Sequence, residues 1–268
     1  MTLSAFPTEI GLWKARITEE MFIETADEDY VLARWLFINN LHRQFFWSAA
    51  QALEKLLKAA ILLNGGSVKD DSHDLGKLYG RVLEFARDLL PADLSCPKEV
   101  IAPANMRSSS TTSVFIARID KHGRTSNRYN LFGIVGEFAD LYFLDEIVFA
   151  LRNITHPLDQ RDYFEGCPDS PREILLKDPK VRLRRFHERL SNPDRASKAL
   201  FDAGCDNNFR LAPEGYKHSS SLLKSSGTST WTSFLAKNPM AGDSDVRKWL
   251  SDSVKLSKAE LKELNLSK

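Results

Sequence analysis

Apolar residues at helical spacing fill the stretch from Ala26 to Leu78 and are most regular between Phe45 and Leu63. Steps of three and four place one set on a single helical stripe: Ala49, Ala52, Leu53, Leu56, Leu57, Ala60 and Leu63. On the other face, Glu54 and Lys58 stand four apart in the order that favours an exposed ion pair. Asn64-Gly65-Gly66 ends the pattern, because glycine adopts the left-handed cap at low cost. We therefore predict a long central helix on which the fold is built.

Two flanking segments have the same periodicity. One helix is predicted over roughly residues 28–39, capped by Asp27 or Asp29. Another is predicted over residues 75–89, with Ser72 as its N-cap and Pro91 beyond its end. Within it, Gly76 and Gly80 either let a second helix approach closely or are simply tolerated.

The middle of the chain is less regular. Residues 92–110, rich in Pro and Ser, are predicted to be a loop. Residues 111–122 fit a helix or a strand, and we favour a helix because the neighbourhood is helical and no partner strand is evident. From about Ile134 to Thr155 the chain is strongly apolar, which predicts a second long core helix ended by Pro157.

The C-terminal part alternates basic and low-complexity stretches. Pro171 to Leu190 reads as a basic helix with an interruption at Pro179, and residues 193–203 as a short helix. Residues 217–230 are rich in Ser, Thr, Lys and Gly, and we expect them to be mobile. Together these patterns predict an all-α protein, with an N-terminal extension at residues 1–21, a helical bundle at 22–162 and a helical extension at 163–268.

Composition excludes several classes of protein. The 268 residues have a formal net charge of +1, so no global field attracts nucleic acid or membrane. The three cysteines, Cys96, Cys167 and Cys205, form no metal or redox motif, which suits a reducing cytosol. We see no signal peptide and no stretch near the ~20 apolar residues of a membrane span, and we expect a cytoplasmic protein.

Several short motifs together resemble the HEPN family of helical-bundle domains. They are Asp29-Tyr30 with Ala33-Arg34, Ala50-Gln51-Ala52-Leu53-Glu54-Lys55 with Lys58-Ala59, His73-Asp74-Leu75 with Leu78, Asn127-Arg128-Tyr129, Leu144-Asp145-Glu146 and Leu151-Arg152-Asn153. The resemblance implies an antiparallel four- or five-helix bundle that usually forms a homodimer. It also implies one of three functional kinds: a metal-independent ribonuclease of toxin–antitoxin or anti-phage systems, a non-catalytic partner of a nucleotidyltransferase, or a binder of RNA or nucleotides.

The ribonucleases of this family carry an Arg, a polar residue and, after a short gap, a His. Arg152, Asn153 and His156 have this order, but only three residues separate Arg152 from His156, fewer than the family pattern. A histidine with a pKa of about 6.5 can move the proton of a ribose hydroxyl, and an arginine can stabilise charge at phosphorus. The alternative interpretation is a basic last turn that complements the helix dipole.

Other residues are candidates for contact with RNA or a nucleotide. Arg128 and Tyr129 place a cation beside a stacking ring, and Arg182, Arg185 and Arg189 form a basic row. Ordinary surface roles are the alternative for both groups. His73, Arg34 and Tyr30 are more consistent with structural bonding to carboxylates inside the bundle. We find no spacing typical of a metal site and expect no cofactor.

Three hypotheses remain open at this point. The first is an RNA-directed HEPN protein, with ribonuclease activity at Arg152 and His156 across a homodimer. The second is a non-catalytic module that binds a nucleotide, a nucleotidyltransferase or an antitoxin partner. The third is a purely structural dimer whose C-terminal extension recruits another protein. The expected homodimer buries the apolar helix face near Phe45, Phe46 and Trp47.

Overall fold

The computed structural model describes residues 9–71, 73–100, 107–124, 134–183, 197–218 and 243–253. Its first helices are α1 (Glu9–Thr18), a π-helical turn (Glu19–Ile23), α2 (Glu24–Ile38), α3 (His42–Leu63) and α4 (Leu75–Ala86), the last followed by a 3₁₀ turn (Arg87–Leu89). Two short strands follow, β1 (Asp93–Ser95) and β2 (Ser109–Thr111). The later helices are α5 (Thr112–Gly123), α6 (Asp140–Asn153), α7 (Pro171–Lys177), α8 (Lys198–Cys205) and α9 (Ser244–Ser253). The described part of the chain is mostly helical, as predicted.

The core is built around α3, the predicted central helix. It packs against α2, α4, α5 and α6, and its apolar stripe is buried. Asn40, with a φ of +60°, makes the sharp turn between α2 and α3. Phe45 and Phe46 are fully buried, so they belong to the core and are not available for an interface, whereas Trp47 is 42% exposed.

The Glu54–Lys58 pair forms as predicted, with 2.6 Å between Lys58 Nζ and Glu54 Oε1. The expectation that it is exposed is wrong, because the two side chains are only 14% and 10% exposed. His73 Nδ1 also lies within hydrogen-bond distance of the Glu54 carboxylate, at 2.9 Å from Oε1. His73 therefore has the structural role that the sequence indicated, tying the start of α4 to α3.

The segment predicted as a loop contains the small sheet. β1 and β2 pair antiparallel, with Asp93 opposite Thr111. The Thr111 hydroxyl then caps α5 by accepting a hydrogen bond from the Val114 amide. Residues 111–122 are thus resolved in favour of the helix, and the strand that precedes it is the element that sequence reasoning missed.

Other helix boundaries differ from the prediction. The first, α2, begins at Glu24, so neither Asp27 nor Asp29 caps it, and α8 spans Lys198–Cys205 rather than residues 193–203. The core helix begins at Asp140 rather than near Ile134, because the Asp140 carboxylate accepts a hydrogen bond from the Glu137 amide at 2.8 Å and ion-pairs with Arg118. The basic helix is interrupted before Pro179, as predicted, because α7 ends at Lys177 and Asp178 adopts extended geometry; residues 184–190 lie outside the described residues. Its start at Pro171 is fixed by a capping box between Ser170 and Glu173.

Several expectations concern other parts of the chain. Ser72 and residues 219–230 lie outside the described residues. The observed N-cap of α4 is Asp74, whose carboxylate accepts a hydrogen bond from the Lys77 amide. Within the described residues, no helix has the length and apolar character that crossing a membrane requires.

Two helical glycines make a matched test of packing. A Cβ on Gly123 would lie 2.5 Å from the Ala50 Cβ and 2.6 Å from the Phe46 carbonyl oxygen, so α5 can approach α3 only with a glycine there. A Cβ on the exposed Gly80 would meet nothing within 4 Å, so none of the described helices packs closely there. Gly123→Ala should lower the free energy of unfolding by about 1–3 kcal/mol.

Gly80→Ala is the control, and it should raise that free energy by about 0.4–1 kcal/mol, because alanine costs less conformational entropy in a helix. Urea unfolding of both variants measures the difference. Equal effects of the same sign would contradict the close approach of α5 to α3.

Candidate functional site at the α2–α6 interface

Two buried Arg–Asp pairs connect α2 and α6. Arg34 on α2 pairs with Asp145 on α6, and Arg152 on α6 pairs with Asp27 on α2. Each helix carries its Asp seven residues before its Arg, so the two side chains are two turns apart on one face. Because the pairing runs in opposite order along the two helices, α2 and α6 are antiparallel. A parallel arrangement would place like charges together.

The pair at Arg34 extends into a polar network. The Tyr30 hydroxyl also donates to the Asp145 carboxylate, and Asn208 donates to the Tyr30 oxygen at 3.0 Å. Arg34 Nε donates to the Ala203 carbonyl at 2.8 Å. The prediction that Tyr30 and Arg34 pair with an acid inside the core is confirmed. The network also fastens α8 and the segment after it onto α2.

Arg152 is almost fully enclosed by its own pairing. Its Nε lies 2.8 Å from Asp27 Oδ1 and its Nη2 3.0 Å from Asp27 Oδ2, and each residue is 1% exposed. The Nη2 contact is a charge-assisted hydrogen bond, and the Nε contact adds a close approach of opposite charges. In the described conformation, the charge of Arg152 is neutralised within the protein and a phosphate cannot reach it.

His156 lies just past the end of α6 and is 4% exposed. The rings of Tyr163 and Phe164 pack against it, with centroids 5.6 and 5.5 Å away. The Asn64 side chain fixes the backbone here, because its amide donates to the His156 carbonyl at 2.9 Å and its oxygen accepts from the Leu158 amide at 3.0 Å.

The environment of His156 keeps its ring neutral. Burial, with a smaller effect of the Arg152 charge, lowers the pKa of His156 to about 4. Since a free histidine titrates near 6.5, the unfolded chain binds this proton more readily than the folded chain between about pH 6.5 and 4. Folding stability therefore falls as the pH drops through that window, and at neutral pH the ring is an uncharged, enclosed group.

Asn153, the third residue of the predicted catalytic set, holds a neighbouring segment. Its amide donates to the Val181 carbonyl at 3.0 Å, and its oxygen accepts from the Leu183 amide at 3.2 Å. The residue is 5% exposed. Arg152, Asn153 and His156 are thus close in the fold, but each contacts other parts of the protein rather than a shared cleft.

The predicted nucleotide contacts are only partly described. Arg128, Tyr129, Arg185 and Arg189 lie outside the described residues. Arg182 follows the end of α7 and is not helical, so its place in a helical basic row is wrong. It lies at a cavity of about 430 Å³ together with Phe209, Tyr216 and His218.

Sequence reasoning missed the partner of Arg152 and the aromatic cluster at Arg182. The signal for Asp27 was present, because Asp27…Arg34 and Asp145…Arg152 have the same spacing. The aromatic residues at 209, 216 and 218 have no helical or strand periodicity. A group of three or more metal-ligating side chains is also not found in the described part of the chain.

These features define a mostly helical protein in which two buried ion pairs join α2 to α6. The family model of the HEPN domain matches residues 19–137, so this segment is similar to HEPN domains. The match begins at the π-helical turn before α2 and stops before α6, which holds Arg152. No curated protein and no solved structure matches the chain.

Asp27 and Asp29 allow a matched test of the buried pair, since they lie two residues apart on α2. Asp27→Ala should lower the free energy of unfolding by about 3–5 kcal/mol, because it leaves Arg152 buried without its carboxylate. Asp29→Ala should cost about 1 kcal/mol or less. Asp29 pairs with Lys55 at 2.6 Å, but those side chains are 24% and 30% exposed.

Chemical unfolding of both variants at neutral pH supplies the measurement. Two losses of similar size would mean that the Arg152–Asp27 pair does not organise the interface between α2 and α6.

Proposed function

We propose that this HEPN protein binds RNA or a nucleotide without cleaving it. One observation carries the proposal: the residues that would perform the cleavage are enclosed within the core. Arg152 is paired with Asp27, and His156 is 4% exposed beneath two aromatic rings. A general base needs hydrogen-bond reach to the substrate proton, and a charge-stabilising arginine must face the phosphate.

The electrostatics support the same proposal. With a pKa of about 4, His156 is a poor proton acceptor at neutral pH. Arg152 would have to separate from the buried Asp27 carboxylate, its ion-pair and hydrogen-bond partner, before it could bind a phosphate. In addition, the HEPN match ends at residue 137, so it does not include either side chain.

A metal-independent ribonuclease of a toxin–antitoxin or anti-phage system is the second candidate. One observation favours it: neither ring nitrogen of His156 has a hydrogen-bond partner within the described part of the chain. A buried imidazole without partners is costly, and exposure to a substrate would relieve that cost. The loop carrying Tyr163 and Phe164 would have to open, and the Arg152–Asp27 pair would have to separate.

Assembly also remains a proposal. The expected homodimer, or a complex with a nucleotidyltransferase or antitoxin, needs an apolar surface other than Phe45 and Phe46. Trp13, Ile17 and Met21 stand four residues apart along the start of the chain and are 54%, 50% and 61% exposed. They are the apolar side chains that we propose for such a contact.

Incubation of the full chain with single-stranded and structured RNA, in the presence of a chelator, separates the two candidates. We expect binding without cleavage, and His156→Phe should leave RNA affinity unchanged because the ring faces the protein interior. If instead RNA is cleaved, loss of the proton-transfer group should reduce the rate ~100- to 10,000-fold.

His73→Ala is the control for that experiment, since His73 contacts only the Glu54 carboxylate among the described residues. Cleavage that persists in His73→Ala and disappears in a folded His156→Phe variant would establish the ribonuclease and refute the proposal.

A further inference from the structure

A cavity of about 430 Å³ lies in the C-terminal part of the chain, outside the HEPN match. We name it the Arg182 pocket, after the cation that lines it together with Phe209, Tyr216 and His218. Ligand pockets span ~300–1,000 Å³, so this volume suits one small molecule rather than a long polymer. None of these four residues takes part in the α2–α6 ion pairs.

The aromatic rings form a continuous cluster beside the cavity. The rings of Phe209 and His218 have centroids 4.7 Å apart, and those of His218 and Tyr216 are 5.4 Å apart. The backbone N–H of Asn207 donates to His218 Nδ1 at 2.9 Å, so Nδ1 is an acceptor and Nε2 is the ring nitrogen left to donate. Aromatic faces of this kind stack with planar bases, at ~1–3 kcal/mol per base.

The Arg182 guanidinium in the pocket makes its described hydrogen bonds through one nitrogen, Nη1. Arg182 Nη1 donates to the carbonyls of Leu211 and Ala212, at 3.3 and 3.0 Å. Among the described residues, no carboxylate forms an ion pair with its guanidinium. Burial and the nearby Arg152 charge lower the pKa of Arg182, so an additional negative charge is favoured there. The acidic residue of the lining, Glu214, is exposed at the rim.

A second cavity, of about 380 Å³, has a different lining. It lies beside Glu146 and Arg210, which pair through two contacts of 2.6 and 2.8 Å. Its other acid, Asp88, is paired with Arg172 at 2.6 Å. Lys180 also lines this cavity, and among the described residues no carboxylate pairs with it, as with Arg182. The two cavities differ in their aromatic lining, since this one has one ring, Phe149, and the Arg182 pocket has three.

We propose that the Arg182 pocket binds a nucleoside monophosphate, with the base on the aromatic rings and the phosphate on Arg182. The inference rests on the proposed function and assigns it a ligand and a place. Arginine presents paired N–H donors that match phosphate oxygens, and the rings accept any base face. The same chemistry fits a free nucleotide and the terminal nucleotide of an RNA.

Isothermal titration calorimetry of the full chain tests this with AMP, GMP, CMP and UMP, and with adenosine and ribose 5-phosphate. At least one monophosphate should bind, and the two fragments at least tenfold more weakly. Arg182→Gln should weaken the monophosphate at least tenfold and leave adenosine unchanged. Tyr216→Leu should weaken both, and Tyr216→Phe, which keeps the ring, should bind as the wild type does.

Arg210→Gln in the second cavity is the matched control and should bind the monophosphate normally. Thermal melting verifies that each variant is folded. Failure of all four monophosphates to bind, or binding that survives both Arg182→Gln and Tyr216→Leu, would overturn the inference.

A parallel titration with single-stranded RNA separates this inference from the proposed function. If RNA binds the wild type and Arg182→Gln equally and no monophosphate binds, the inference about the pocket is wrong. The proposed function would still hold in that case. No binding of either ligand would remove both. Monophosphate binding together with weaker RNA binding by Arg182→Gln would support the pocket as the site of a terminal nucleotide.

Discussion

The antiparallel contact between α2 and α6 depends on two ion pairs, in which each helix supplies one Asp and one Arg. Asp27 and Arg34 on one helix meet Arg152 and Asp145 on the other, and all four side chains are buried. Seven residues of helix span about 10 Å, so the pairs fix both the direction and the register of the two helices. A shift by one turn would leave buried charges unpaired, which costs far more than a lost surface pair.

This constraint has consequences for function. A basic last turn of α6 would suit a phosphate, but here the Arg152 guanidinium is used to hold α2. The chain past α6 is then fixed by Asn64 and covered by Tyr163 and Phe164, which enclose His156. The Arg34 network also reaches the Ala203 carbonyl, so the same constraint supports the segment that builds the Arg182 pocket. For this reason our proposal for ligand binding is that pocket rather than the end of α6.

Local patterns in the sequence predicted much of the helical core. The apolar stripe of α3 and the break at Asn40 depend on patterns near in sequence. For Tyr30 and Arg34 the side-chain types predicted a buried acid as partner, but not which one, since Asp145 lies 115 and 111 residues away. The strand at residues 109–111 was missed because its partner at 93–95 lies in a Pro- and Ser-rich stretch. The burial of Arg152 was missed because its partner, Asp27, is 125 residues away.

The candidate site shows the same division between local and distant information. Arg152, Asn153 and His156 could be placed together from their spacing, but their exposure depends on Asp27, Val181 and Phe164, which approach from three other segments. The pocket at Arg182 has no periodic signal, since it forms between Arg182 and the irregular residues 208–218. Spacing thus indicated which residues are neighbours, and tertiary packing decided what they can contact.

The titration of His156, followed by NMR of histidine-labelled protein, tests the central claim most directly. Our account places this ring in an enclosed and uncharged state, so its carbon shifts should stay constant from pH 8 to about pH 5 and change only near its pKa of about 4. Assignment comes from the signal that is absent in His156→Phe. A midpoint at or above about 6 would mean that the ring reaches solvent, and it would contradict the account of a closed, non-catalytic centre.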